Sequence, residues 1–183
     1  DDLLESYRAQ ARGLIAGGAD VLIVETCQDL LQTKCAINAC LDEIERAGKT
    51  ADDLPIMASV TIETSGTMLV GSSIEAAATA LAGYPILSLG LNCATGPTEM
   101  TEHVRYLCRH WPRAVSVMPN AGLPALVEGK AHFPLGPRPF AEAMLRFKHL
   151  IFFGPTGQAK WKGQIYGAPR FTWLFNKPII YHG

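Results

Sequence analysis

The sequence predicts an α/β fold with parallel strands, either an open doubly wound sheet or part of a (β/α)8 barrel. Four apolar runs alternate with amphipathic helix-like segments, the pattern of right-handed βαβ units. The runs are almost continuously apolar, as expected of strands that are covered on both faces. Neither a GxGxxG nor a Walker loop follows any of them, which disfavours the dinucleotide-binding and P-loop forms of the fold.

The first unit begins with a predicted helix over 2–16, which the pair Gly17 and Gly18 ends. An apolar strand over 20–24 follows and ends at Glu25. Leucines, alanines and Cys35 at helical spacing then predict a second helix over 29–47.

Three further units follow, and each repeats the order of strand and then helix. Ser73 has the residue type and position of a helix N-cap. The segment 125–137 shows no periodicity and is expected to be a loop. The predicted elements are strands over 55–62, 86–93 and 114–118 and helices over 73–82, 98–111 and from about Pro139.

Composition limits the function classes. The chain has 183 residues, a formal net charge of −1 and 48% hydrophobic residues, so one folded domain is feasible and a nucleic-acid partner is not expected. No apolar run approaches the roughly 20 residues of a membrane span. The five cysteines form no CxxC pair, a usage that suits a reducing, cytoplasmic location.

From residue 148 the character of the sequence changes. Residues 148–183 carry five basic and no acidic side chains and more than half of the aromatic residues. Residues 150–154 could add one more strand, after which no regular pattern is found. We therefore expect a domain over 1–147 and a divergent, irregular basic aromatic tail over 148–183, of foreign or frame-shifted origin.

Polar residues follow each predicted strand at its C-terminal end. They are Glu25 with Thr26, Thr61 with Glu63, Asn92 with Cys93, and Asn120. Because functional sites of parallel α/β folds lie at the carboxyl ends of the strands, we expect these side chains to gather at one edge. Cys93 is the predicted chemical centre, since a thiolate serves as both nucleophile and metal ligand. The remaining cysteines are predicted to be small core residues; they are Cys27, Cys35, Cys40 and Cys108.

Four segments together resemble a known family. VLIVETCQDLLQTKCAI, PIMASVTIETSGTMLVGSSIEAA, LSLGLNCATGPTEM and PNAGLP occur in the order and spacing of the homocysteine S-methyltransferase domain of cobalamin-dependent methionine synthases. The resemblance covers about residues 1–147. It implies a (β/α)8 barrel of which the four strands would be strands four to seven, so the fold expected here is a partial barrel with an irregular tail.

The resemblance also implies a function, which is methyl transfer to the thiol of homocysteine to form methionine. It implies a zinc-bound homocysteine thiolate with Cys93 as one zinc ligand, and contact of Glu25 with the substrate amino group. Asn120 would lie near the metal, and Thr61 and Asn92 are further candidates for substrate binding. Methylcobalamin would be the donor, held with folate by other domains of the full-length protein.

The sequence departs from the family pattern at the other two zinc ligands. The family carries adjacent cysteines in a GGCCG motif, whereas no cysteine follows Cys108 and residues 152–157 are FFGPTG. This difference keeps two alternatives open. One is a catalytically inactive barrel fragment, and the other is a small α/β enzyme that uses Cys93 as a covalent nucleophile.

Overall fold

The computed structural model describes residues 2–147, together with residues 151–152, 159–161 and 164–166. Apart from Phe152, the FFGPTG segment lies outside these residues, and so does most of the predicted tail. The elements are α1 (Asp2–Ala16), β1 (Leu22–Cys27), α2 (Leu30–Arg46), β2 (Ile56–Val60), α3 (Ile74–Leu81), β3 (Ser88–Asn92), α4 (Pro97–His110), β4 (Ala114–Met118), β5 (Ala125–Val127), β6 (Lys130–His132), α5 (Pro137–Met144), β7 (Ile151–Phe152), β8 (Ala159–Trp161) and β9 (Gln164–Tyr166).

The main sheet has the order β1-β2-β3-β4-β7, and every neighbouring pair is parallel. Sequential strands are therefore neighbours, and a helix connects each to the next through β4, as in one continuous run of βα units. The predicted parallel α/β architecture is confirmed. The additional strand expected within 150–154 is confirmed at Ile151–Phe152, which pairs with β4.

The two faces of the sheet differ in chemistry. One face is apolar and packs under the helices, with Ala58, Leu89 and Val117 in one buried cluster with helical residues such as Ile37 and Leu107. Because side chains alternate along a strand, residues one position away face the opposite side. That side carries small and polar residues beside Met57, and its buried members include Ser59, Ser88, Gly90, Asn92 and Ser116.

Local chemistry explains the helix boundaries. The Asp29 carboxylate accepts the Leu31 N–H at 3.2 Å, and the Ser73 hydroxyl accepts the Ala76 N–H at 3.4 Å, so both side chains cap the following helix. The N-cap predicted at Ser73 is confirmed. Pro97 occupies the first turn of α4, where its missing N–H leaves no hydrogen bond unmade.

Two sequence predictions need correction. Residues 125–137 are not all loop, because β5 and β6 pair as an antiparallel hairpin there. Each strand is only three residues long, which is too short for a period to be visible in the sequence. Cys108 was predicted to be a core residue but is exposed on α4, since the cysteine side chain is small enough to be tolerated at either position.

An ionic cluster fixes α1 against α2. Glu43 is 3% exposed, and its carboxylate accepts hydrogen bonds from Arg12 Nε and Nη2, both at 2.9 Å, and from Arg46 Nη1 at 2.8 Å. Arg8 pairs with Asp42 beside this cluster. The Arg12 hydrogen bonds, more than any other cause, hold the pKa of the Glu43 carboxyl below its ordinary value.

We expect Glu43→Gln to lower the urea midpoint at pH 7, because the neutral amide cannot accept both arginines as a carboxylate does. A carboxyl whose pKa is lowered in the fold stabilises the fold above its unfolded-state pKa of about 4.3 and loses that contribution as pH falls through the lower folded value. The difference in urea midpoint between wild type and Glu43→Gln should therefore become smaller below about pH 4.3.

The matched control is Glu102→Gln, which removes the exposed partner of Arg105. Exposed pairs are worth about 0–1 kcal/mol, so this change should leave the midpoint nearly unchanged. Equal midpoints for wild type and Glu43→Gln at pH 7 would show that the buried carboxylate does not stabilise the contact between the helices.

Candidate functional site

The carboxyl edge of the sheet, defined as the ends of β1 to β4 and the loops that follow them, holds all five predicted site residues. The Thr61 N–H donates to the Cys27 carbonyl at 2.9 Å, which joins the ends of β1 and β2. The Cys93 N–H donates to the Met118 carbonyl at 3.1 Å, which joins the ends of β3 and β4. The prediction that these strand ends meet at one edge is confirmed by these contacts.

Asn92 is the centre of the hydrogen bonding at this edge. It is 2% exposed, and its Oδ1 accepts the Thr26 N–H at 3.0 Å and the Ser59 hydroxyl at 2.7 Å. Its Nδ2 donates to Thr26 Oγ1 at 2.7 Å and to Cys93 Sγ at 3.2 Å. The four hydrogen bonds use the full capacity of a side-chain amide. The role of Asn92 in binding substrate stays a prediction; the contacts it makes here are all within the protein.

Sequence reasoning missed two partners of Asn92, which are Thr26 and Ser59. Ser59 left a usable signal, because it is a polar residue inside the apolar run of β2, and buried hydroxyls normally have a specific partner. Thr26 was among the polar residues expected at the strand ends, but nothing in the sequence indicated its contact with Asn92. Its contact with Asn92 joins residues 66 positions apart in the sequence.

Glu25 lies within an irregularity of β1 rather than after its end. Register with β2 shifts between Val24 and Cys27, so two residues leave the ladder, and the second, Thr26, adopts a left-handed φ of 58°. A β-bulge re-aims side chains, and here Glu25 is exposed at the carboxyl edge. The predicted strand end at residue 24 is thus wrong by the length of this bulge, which continues β1 to Cys27.

Cys93 lies directly after β3 in strained backbone. Cys93 and Ala94 have φ values of 59° and 53°, a region that residues other than glycine occupy at a cost of about 1–3 kcal/mol each. Cys93 is a free, half-buried thiol. Such strain persists only where surrounding contacts hold it, and strained residues cluster at functional sites.

Asn120 lies in the loop after β4, which packs on the loop after β3. The Asn120 N–H donates to the Thr95 carbonyl at 3.0 Å. A Cβ atom on Gly96 would lie 2.8 Å from Gly122 Cα, so the two loops approach this closely only because residue 96 is glycine. This contact explains the glycine of the segment ATGP. Gly122, in the segment NAGLP, has a left-handed φ of 90°, and a Cβ atom there would lie 2.8 Å from Pro134 Cγ. The predicted position of Asn120 near a metal stays a prediction.

Thr61 lies just beyond β2 and is 2% exposed. Its Oγ1 is buried and has no hydrogen-bond partner among the residues that the structure describes. The buried hydroxyls of Ser88 and Ser116 likewise have no partner among the described residues. The position of Thr61 at the carboxyl edge fits the predicted substrate contact, which stays a prediction.

The other buried thiols are poor candidates for chemistry. Burial raises the pKa of Cys27, and it raises that of Cys40 to about 11, so both are protonated at neutral pH. A protonated thiol is neither a nucleophile nor a good metal ligand. Their prediction as buried core residues is confirmed.

The residues present do not fit a complete zinc site. Within residues 2–147 and the short strands described beyond them, no three side chains among His, Cys, Asp and Glu are grouped so that they could hold a metal ion. A catalytic zinc takes three protein ligands, whereas Cys93 is a single thiol beside an amide that is already saturated. We therefore derive no chemical step through zinc.

Comparison with known proteins identifies the family. The family model of homocysteine S-methyltransferases matches residues 1–162 of the chain. The chain belongs to this family. The match confirms the resemblance stated for residues 1–147, and it also extends into the segment expected to be a divergent tail. The domain boundary at 147 stays a prediction.

Two curated relatives of this homocysteine S-methyltransferase family member are methionine synthases of Mycobacterium tuberculosis and Mycobacterium leprae. They are 51% and 48% identical to the chain over 143 residues, which is 78% of the chain. Those residues make up 12% of each relative. The chain therefore matches only a small part of either methionine synthase.

Solved structures show the same fold. The homocysteine methyltransferase MmuM from Escherichia coli matches with TM-scores of 0.57 in its oxidized form and 0.58 in its apo form. The matches cover 84% of the chain and 50% and 55% of the two MmuM chains, at 18% and 20% identity. At this identity the likeness supports the fold alone. The predicted partial barrel is confirmed, because the chain matches about half of a chain with the barrel fold.

Proposed function

We propose that this chain is the homocysteine-binding part of a domain that transfers a methyl group to the thiol of homocysteine and so forms methionine. Family membership supports the reaction class. The observation that carries the proposal for this chain is the Asn92 network, which joins the Glu25 bulge and the Cys93 loop at one edge. That edge thus offers a carboxylate and a thiol to one small amino thiol.

The chain's own residues would bind and orient the substrate. The Glu25 carboxylate would pair with the substrate ammonium group, a charge-assisted contact that aims the sulfur. The unpartnered Thr61 hydroxyl would bind a polar group of the substrate, and Asn120 would complete the edge from β4. The reaction forms a carbon–sulfur bond to the methyl group while the bond between the methyl group and its donor breaks, the donor keeping that electron pair. The thiol proton is released to solvent, so the better nucleophile is the thiolate.

The donor and the partners belong to the same proposal. Since the two curated relatives are methionine synthases that are much longer than the match, other domains would hold methylcobalamin and folate. Zinc would activate the thiolate in a complete domain, in which Cys93 would supply one ligand. No helix in the described part of the chain is long and apolar enough to cross a membrane. A cytoplasmic location is proposed because every cysteine is free.

The second candidate function is a catalytically inactive barrel fragment. The sequence favours it, because no cysteine follows Cys108. The described residues favour it as well, since they contain no group of metal-binding side chains. In that case the carboxyl edge would keep its shape without supporting methyl transfer.

Calorimetric titration with L-homocysteine separates the two candidates. We expect saturable binding at one site per chain, together with a zinc content well below one per chain, because a single thiolate does not hold the metal. Absence of homocysteine binding would favour the inactive fragment. Stoichiometric zinc that is lost in Cys93→Ala but kept in Cys108→Ala, a change at an exposed thiol on α4, would contradict the incomplete metal site.

A further inference from the structure

Asn92 connects two groups that the proposed function needs to be held in a fixed relation. On one side it accepts from the Thr26 N–H at 3.0 Å and donates to Thr26 Oγ1 at 2.7 Å. On the other side its Nδ2 lies 3.2 Å from Cys93 Sγ. One amide therefore contacts the residue next to Glu25 and the thiol next to itself.

The contacts to Thr26 oppose a local strain. A threonine at φ 58° is unfavourable by itself, because its branched side chain crowds the backbone in the left-handed region. Two hydrogen bonds from a buried amide compensate for that strain. Without them the bulge would relax, and the exposed Glu25 side chain would change direction.

The network is itself rigidly held. Ser59 donates to Asn92 Oδ1 at 2.7 Å from the interior of β2, where Ser59 is 1% exposed. Three strands thus fix the amide, which leaves it no freedom to rotate toward a ligand. A side chain in this situation positions other groups and does not contact the substrate.

We propose that Asn92 is a positioning residue that holds the Glu25 bulge in its left-handed form and aligns it with the thiol of Cys93. This inference rests on the proposed homocysteine binding and assigns Asn92 an indirect part in it. Homocysteine should need Asn92 in order to reach Glu25 with its amino group and the Cys93 end of the site with its thiol at the same time. A thiol ligand without an amino group should not need Asn92 for binding, since it makes no contact with Glu25.

The test compares L-homocysteine with 4-mercaptobutanoate, which lacks the amino group, by calorimetry on the full chain. Asn92→Ala should weaken homocysteine binding about tenfold, which corresponds to the net contribution of about one hydrogen bond. The same change should barely affect binding of the analogue. Introducing Thr26→Gly into Asn92→Ala should recover part of the homocysteine affinity, because glycine adopts positive φ without strain but is not held there.

Two further measurements keep the inference falsifiable. Should Asn92→Ala not fold, the pair Thr26→Ala and Thr26→Gly replaces it. Both variants lose the hydrogen bond to Thr26 Oγ1, but only alanine keeps the strain, so the alanine variant should bind homocysteine more weakly than the glycine variant. Hydrogen exchange of the Thr26 amide, which is bonded to Asn92 Oδ1, should accelerate in Asn92→Ala and reports on the network without any ligand.

The outcomes separate the inference from the function beneath it. If wild type binds homocysteine and Asn92→Ala binds it equally well, the positioning role is overturned and the proposed function stands. Equal losses for both thiols would also overturn it, since they would indicate a general structural role. If wild type binds no homocysteine, the proposed function fails and the inference fails with it.

Discussion

Replacing Glu25 by glutamine is expected to weaken homocysteine binding about 10- to 100-fold, because it converts a charge-assisted contact into a neutral one. Glu25 is exposed at the carboxyl edge on the bulge of β1, so an approaching ammonium group can reach it. The substitution keeps the size of the side chain and removes only the charge. Calorimetry at constant ionic strength measures the loss.

Two comparisons make this result specific. Glu102→Gln removes another exposed carboxylate, on α4 outside the carboxyl edge, and should leave the affinity unchanged. Binding of 4-mercaptobutanoate should be nearly the same in wild type and Glu25→Gln. A similar affinity of both proteins for homocysteine would show that Glu25 does not bind the substrate ammonium.

Gly90→Ala is expected to be the most destabilising single change in the sheet. Gly90 pairs with Ser116 across β3 and β4, and a Cβ atom at residue 90 would lie 2.0 Å from Ser116 Oγ and 2.2 Å from the Ser116 carbonyl oxygen. The Ser116 backbone cannot move aside as a flexible side chain can, so β3 and β4 must separate to admit the added Cβ atom. We expect a loss of about 3 kcal/mol and a melting temperature about 6–12 °C lower.

The controls distinguish crowding from a general effect of alanine. Gly13→Ala, in the interior of α1 with no atom within 4 Å of the added Cβ, should stabilise the chain by about 0.5–1 kcal/mol. Ser116→Gly in the Gly90→Ala background should recover only part of the loss, because the carbonyl contact remains. Full recovery would show that the hydroxyl alone excludes a side chain at residue 90.

The candidate site was predictable where it depends on strand direction. The polar residues Glu25, Thr61, Cys93 and Asn120 each follow an apolar run, and parallel strands bring their carboxyl ends to one edge. Topology alone therefore places them together. The family resemblance indicated the proposed substrate and showed that two zinc-binding cysteines of the family pattern are absent. The match to the family model confirmed the family itself.

The interior of the site was not predictable in the same way. The contact of Asn92 with Thr26 joins residues 66 positions apart, and that with Ser59 joins residues 33 apart. Side-chain periodicity describes which face a residue occupies, but it does not specify its partner. The β5–β6 hairpin was missed for a related reason, because three-residue strands carry too few alternations to be recognised.

The sequence by itself determined three features, since each depends on local periodicity and chain direction. They are the order of strands and helices through β4, the apolar face under the helices, and the edge that carries the site. Only the tertiary structure decided that Asn92 joins Thr26 to Cys93, that Glu25 lies on a bulge, and that Gly90 makes room for Ser116. These features arise from contacts between neighbouring strands, whose register and side-chain distances are set only when the sheet assembles.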